Sequence, residues 1–249
     1  MKKSIIVFVM LTGIVVAGRA ALIVNEQFNY TDGSDIESVS SWTGTGAGTV
    51  SNGILSMTGN LELAFDQTYT VDPNESGADN SVSELWFKTT VNLTGGASIR
   101  PGLGSTSSTI EVSKYATAHM TMSGGSLVTF RAWSQNWYSN AATVPNYDGS
   151  DFVAVYGKLS DSSGSLKVEI WFNPADPENL GSADVSYTRA YVDSKIVDRI
   201  DLGNWGGAVS IDNFVVGTAI GDVIPEPSTV GLFALSGVGC LLMRNFIRM

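Results

Sequence analysis

The chain reads as all-β, a two-sheet antiparallel sandwich flanked by two apolar end segments. Three observations predict this. Short runs with period-two alternation recur between clusters of Gly, Asn, Asp and Ser. No stretch carries the period of a long amphipathic helix, so parallel βαβ units have no crossover helices to use. No motif repeats at fixed spacing, which counts against a propeller or β-helix.

In order, the predicted strands are Leu22–Phe28, Ile54–Met57, Leu61–Thr70, Ser83–Leu93, Leu127–Trp133, Phe152–Leu159, Leu166–Asn173 and Val209–Val216. In Ser83–Leu93 the pattern sets Leu85, Phe87, Thr89 and Val91 on one face and Glu84, Trp86, Lys88 and Thr90 on the other. Leu166–Asn173 alternates most cleanly, with Leu166, Val168, Ile170 and Phe172 against Lys167, Glu169, Trp171 and Asn173. Between the sixth and seventh runs, Ser160-Asp161-Ser162-Ser163-Gly164 has the composition of a hairpin turn.

The two ends differ from this middle. Lys2 and Lys3 precede an apolar run from Ile5 to Ala17, and Gly18 and Ala20 supply the small residues of a cleavage site, so residues 1–20 read as a secretory signal peptide. Residues 21–222 then form one domain, and residues 223–249 a tail. Within the tail no charge occurs from Pro227 to Met243, after which Arg244 and Arg248 follow. Residues 228–243 therefore read as a short membrane helix, with Arg244 and Arg248 as its cytoplasmic anchor. The signal peptide sends the domain to the opposite side, so both ends predict one topology.

Composition narrows the function classes. The formal net charge is −10, and loss of Lys2, Lys3 and Arg19 with the signal peptide takes it to −13. Such a surface repels nucleic acid. Aromatic and β-branched residues are too plentiful for a disordered chain. The one cysteine, Cys240, lies in the tail, so the domain holds no disulfide. The one histidine, His119, excludes the usual zinc sites, and no nucleophile-elbow motif accompanies it.

Two resemblances follow from particular residues. Pro225-Glu226-Pro227-Ser228-Thr229, the apolar run and the basic end resemble the PEP-CTERM sorting tail of Gram-negative bacteria. That resemblance implies Pro225, Glu226 and Pro227 as the sorting motif, an exosortase-type transpeptidase as partner, passage through the inner membrane, and export linked to extracellular polysaccharide at the cell surface. The segments VNEQFNYTDGSDI, FVAVYGKLSDSSGSLKVEIWFNP and VSIDNFVVGT resemble laminin-G/concanavalin-like jelly-roll modules. This implies a jelly-roll sandwich whose first and last strands are neighbours in one sheet, a fold that hosts lectins, glycosidases and structural modules alike.

Chemistry-bearing residues give no catalytic set. A glycosidase needs two carboxylates flanking the scissile bond, about 5–10 Å apart. The Glu-x-Asp-x-x-Glu pattern of jelly-roll glucanases is absent, and Glu84 and Glu169 are each equally readable as solvated outer-face residues. The segment FRAWSQNWYSNAATVPNYDGSD gathers Trp133, Trp137, Tyr138 and Tyr147 among Gln135, Asn136, Asn140 and Asn146. Trp137, Tyr138 and Tyr147 are the candidate glycan-binding residues, because rings in a polar loop can stack on sugar while amides bond its hydroxyls. Packing of those rings onto the sheets is the other reading. Asp32-Gly33-Ser34-Asp35 and Asp148-Gly149-Ser150-Asp151 offer oxygen ligands for calcium, yet neither is an EF-hand loop and Asp-Gly turns occur without metal. No cofactor is therefore assigned. The expectation is a non-enzymatic exported protein that binds glycan, with a glycoside hydrolase or lyase and a purely structural matrix component as alternatives.

Overall fold

The structure is a computed structural model that describes residues 21–71, 80–94, 97–104, 114–123, 127–134, 137–138, 142–143, 151–190, 196–204 and 206–224. The signal segment 1–20 and the tail from 225 onward, with Pro225, Glu226, Pro227, Arg244 and Arg248, lie outside the described residues. Within those residues no helix is long and apolar enough to cross a membrane.

Sixteen strands and two short helices are present among the described residues. They are β1 (Leu22–Glu26), α1 (Ile36–Val39), β2 (Thr43–Gly44), β3 (Ala47–Ser51), β4 (Ile54–Thr58), β5 (Leu61–Thr70), β6 (Glu84–Thr94), β7 (Ser98–Gly104) and β8 (Lys114–Ser123). After these come β9 (Leu127–Ser134), β10 (Trp137–Tyr138), β11 (Ala142–Thr143), β12 (Val153–Asp161), β13 (Ser165–Phe172), β14 (Val185–Ala190), β15 (Ile196–Asn204), β16 (Ala208–Gly217) and α2 (Ile220–Val223). They form two antiparallel sheets. The first runs β14-β13-β12-β6-β16-β4-β3, with β1 also on β16, and the second runs β10-β9-β8-β7-β15-β5-β2, with β11 also on β9.

Local chemistry explains the turns. Ser163 and Gly164 both have positive φ, 53° and 82°, and Ser162 and Ser165 exchange backbone hydrogen bonds of 2.7 and 3.1 Å. This is a two-residue hairpin whose backbone twist matches the strands it joins. Asn52 and Gly53, at φ 53° and 74°, do the same between β3 and β4. Phe28 ends the first run at φ 50°, with its N–H donating to Glu26 Oε1 at 2.7 Å. The other oxygen of Glu26 accepts from Tyr30 Oη at 3.0 Å and Trp42 Nε1 at 3.2 Å, so this carboxylate is spent on holding the fold.

The predicted inward faces meet in one core. Leu85, Phe87, Val91, Leu166, Val168, Ile170 and Phe172 pack with Ile99, Leu103, Met120, Ile200 and Leu202 of the second sheet. Thr89 is fully buried among them and donates its hydroxyl to the Asn213 carbonyl at 2.7 Å. That bond lies at a bulge in β16, where register shifts between Ile211 and Phe214. Before the bulge β16 pairs β4, and after it β16 pairs β1, so the first and last strands are neighbours, as the resemblance implied.

A second apolar layer covers the outer face of the first sheet. Trp86, Tyr156, Trp171 and Val215 are buried there with Val223 of α2, and Leu180 and Ala183 of the β13–β14 connection pack against them. Asp222 Oδ2 accepts from the N–H groups of Thr218 and Ala219 at 3.0 and 2.9 Å, fixing the turn into α2. Gly217 permits this approach, since a Cβ there would lie 2.3 Å from Asp222 Cβ. Val223 is 1% exposed, so the folded chain continues across residue 222 to Ile224.

Candidate functional site

On the second sheet, Leu61, Leu103, Ile200 and Leu202 enter the core, which sends the alternate residues of β5, β7 and β15 to its outer face. Asp201 there pairs in register with Glu62 of β5 and Gly102 of β7. The register shifts between Val197 and Arg199, where β5 carries extra residues between Ala64 and Tyr69, and Asp198 sits at this irregularity beside Arg199. Arg199 joins the carboxylates: its Nη1 pairs with Glu62 Oε2, and its Nε donates to Asp198 Oδ1 at 3.0 Å. Asp201 is only 1% exposed and Asp198 9%, which is unusual for carboxylates on an outer face.

The register carries this row across the sheet. Gly102 is opposite Thr117 of β8, Thr117 is opposite Trp133 of β9, and Trp133 is opposite Tyr138 of β10. Glu62, Asp201, Gly102, Thr117, Trp133 and Tyr138 thus occupy one cross-strand row over six strands. At the usual strand spacing the row is about 24 Å long, enough for an oligosaccharide rather than one sugar ring.

Two of the three predicted aromatic residues belong to this sheet. Trp137 and Tyr138 are not in an open loop: they form β10, paired with Ser134 and Trp133 at the sheet edge. A two-residue strand carries no detectable alternation, so composition alone reads it as loop. Tyr147, Gln135, Asn136, Asn140 and Asn146 lie outside the described residues. His119 sits within β8, opposite Arg131.

Glu84 and Glu169 are brought near each other, but on the outer face of the first sheet. Lys158 Nζ lies between them, 3.1 Å from Glu84 Oε2 and 3.9 Å from Glu169 Oε2. Lys167 pairs with Glu169 at 2.7 Å, and Trp86 Nε1 donates to Glu84 Oε1 at 2.7 Å. Lys158 also lies 5.2 Å from the centre of the Trp86 ring. These contacts make the cluster a lysine-bridged ion-pair network beside a stacked Trp86–Trp171 pair.

The first calcium-type turn is used by the backbone. Asp32 Oδ1 accepts from Asn52 N at 2.6 Å, and Asp35 Oδ1 accepts from Glu37 N at 3.1 Å as the cap of α1. In the second turn only Asp151 is described, and it is exposed. Among the described residues no group of three His, Cys, Asp or Glu side chains could hold a metal ion.

Comparison with solved structures places this architecture. The CBM2 module of Lactobacillus casei BL23 phage J-1 evolved Dit superposes with a TM-score of 0.50, at 12% identity, over 80% of this chain and 95% of its own. An endo-1,3-beta-glucanase from Streptomyces sioyaensis superposes with a TM-score of 0.51, at 10% identity, over 80% and 96%. The architecture shared with these two structures is the two-sheet antiparallel β-sandwich. Peanut lectin also aligns, at 12% identity over 80% of this chain and 97% of its own, with a TM-score of 0.46. At such identities the likeness is one of fold. No protein-family model matches the sequence, and no curated protein matches it.

Proposed function

We propose that this chain is an exported, non-enzymatic jelly-roll protein that binds a neutral polysaccharide along the outer face of its second sheet. The observation that carries the reading is the register row, which places Trp133 and Tyr138 at one end and Asp201 with Glu62 at the other. Aromatic residues supply stacking surface for sugar rings, and Glu62, the part-exposed carboxylate of the row, supplies a hydroxyl partner. The net charge of −10 opposes an acidic polymer and leaves a neutral one unopposed. Trp137 is adjacent in β10, and Tyr147 completes the set named by composition. Calorimetric titration with neutral and acidic glycans tests this. Tyr138→Ala is expected to weaken neutral-glycan binding by about fivefold, from roughly 1 kcal/mol per ring, and Trp137→Ala, at the alternate strand position, to weaken it less. Absence of neutral-glycan binding by the wild type, or equal binding by all three proteins, contradicts the reading.

Export is proposed from the two ends. Residues 1–20 direct secretion, and residues 228–243 hold a precursor in the inner membrane with Arg244 and Arg248 in the cytoplasm. An exosortase-type transpeptidase then acts at Pro225-Glu226-Pro227, releasing the domain to the cell surface or the extracellular polysaccharide. The prolines favour an extended backbone that a protease can engage. Replacing all three motif residues by alanine is expected to leave an unprocessed, membrane-held precursor on immunoblots of fractionated host cells. Unchanged processing contradicts the motif's role.

A glycoside hydrolase is the second reading, and one observation favours it: Glu62 and Asp201 are direct cross-strand partners. Side chains so placed have Cβ atoms about 4.5–5.5 Å apart, which sets both carboxylates on one face of the sheet. A hydrolase releases reducing ends from the glycan it binds, and Asp201→Asn removes that release. The non-enzymatic reading predicts no release by wild type.

A further inference from the structure

A separate cleft of about 230 Å3 opens where β1, β6 and β16 meet α2. Its polar lining includes Lys88, Asn213, Asn25 and Asp222, and Leu22 and Ile224 contribute apolar walls. Among the described residues Asn213 Oδ1 is buried without a hydrogen bond, and such an orphan acceptor demands an explanation. Its position follows from the β16 bulge, whose main chain is tied by Thr89. Lys88 is half-buried, and no carboxylate of the described residues lies within ion-pair distance of it. Burial holds the Lys88 pKa below its usual value, with nearby Asp212 acting in the opposite direction. Asp222 uses only Oδ2 for its two backbone partners, which leaves Oδ1 available.

We propose that this cleft is a second binding site, distinct from the second-sheet face, for one neutral sugar or polyol bound through vicinal hydroxyls, one accepting from Lys88 Nζ and its neighbour donating to Asn213 Oδ1. Hydroxyls suit the site because they donate and accept together, as the facing amine and amide oxygen require. An apolar occupant leaves both groups buried and unsatisfied. An anion meets Asp222 in the lining and Asp212 nearby, and a cation meets Lys88. The volume falls below the 300–1,000 Å3 of drug-sized sites, which limits the occupant to about one ring. Leu22, 52% exposed at the cleft, offers an apolar surface to the ring's C–H face.

Saturation-transfer NMR on the full chain in deuterated detergent tests the site, with glucose, galactose, mannose and glycerol as probes. Transfer to at least one probe is expected in wild type and persists in Tyr138→Ala, which loses the second-sheet share of the signal and keeps the share of the cleft. Lys88→Met keeps the aliphatic stem, and Asn213→Leu keeps the backbone acceptor of Thr89. Each is expected to weaken binding about tenfold, the weight of a hydrogen bond to a charged or buried partner, with thermal unfolding retained. No transfer to any probe, meaning that the cleft holds ordered water only, overturns the proposal. So does undiminished transfer in a folded Lys88→Met variant. Loss of the signal in Tyr138→Ala alone assigns it to the second sheet and also overturns the proposal.

Discussion

Phe87→Ala is expected to destabilise the protein by about 3–5 kcal/mol, the range for truncating a large buried ring. Phe87 is fully buried and stacks on Phe214, with ring centroids 5.6 Å apart and planes 19° from parallel. Directly across on β12 its partner is Gly157. A Cβ at Gly157 would stand 2.0 Å from Phe87 Cε1, so this glycine is the small half of a large–small pair. Gly157→Ala in the wild type therefore overpacks the core and costs roughly 1–3 kcal/mol. In the Phe87→Ala background the same methyl enters vacated space. The double variant is expected to be more stable than the sum of the two single losses, by an interaction of about 1 kcal/mol or more. Urea unfolding followed by tryptophan fluorescence measures all four proteins. Additive losses contradict the pairing.

Trp171→Ala carries the second large effect, also about 3–5 kcal/mol, although Trp171 lies on the face that alternation marks as polar. It is 5% exposed, stacks on Trp86 at 5.6 Å and 22°, and donates its indole N–H to the Gly181 carbonyl at 3.3 Å. Its loss removes the floor on which α2 and the β13–β14 connection rest. Hydrogen exchange is expected to accelerate in residues 174–184 and 220–224 while the β6–β12 ladder stays protected. A cost below about 1 kcal/mol, as for an ordinary surface substitution, contradicts a second buried layer.

These two sites show what the sequence makes legible. Inward faces of β6 and β13 can be read directly, because Leu85, Phe87, Leu166 and Val168 alternate with charged neighbours. Burial of Trp86 and Trp171 cannot be read that way, since their cover comes from α2 and from Leu180, elements distant in the chain or without periodicity. Strand β7 escapes notice because Pro101, Gly102 and Gly104 have loop chemistry. Strand β15 escapes because its alternation breaks where the register with β5 shifts, leaving Val197 and Asp198 buried in succession. Asn52-Gly53 does carry a hairpin signal, and it marks the start of β4.

The candidate face is legible only at its aromatic end. Trp137 and Tyr138 stand out by composition, whereas Glu62, Asp198, Arg199 and Asp201 converge because β15 inserts between β5 and β7. No local pattern announces that neighbour relation. The tail motif is the reverse case: its order of parts is plain in sequence, and it lies outside the described residues.

A crystal structure of the protein bound to a neutral oligosaccharide that it retains in titration tests the central claim most directly. Sugar rings are expected along the outer face of the second sheet, stacked at Trp133 or Tyr138 and running toward Asp201 and Glu62. An oligosaccharide seated only on the first sheet, or one making no contact with β8, β9 or β10, contradicts it.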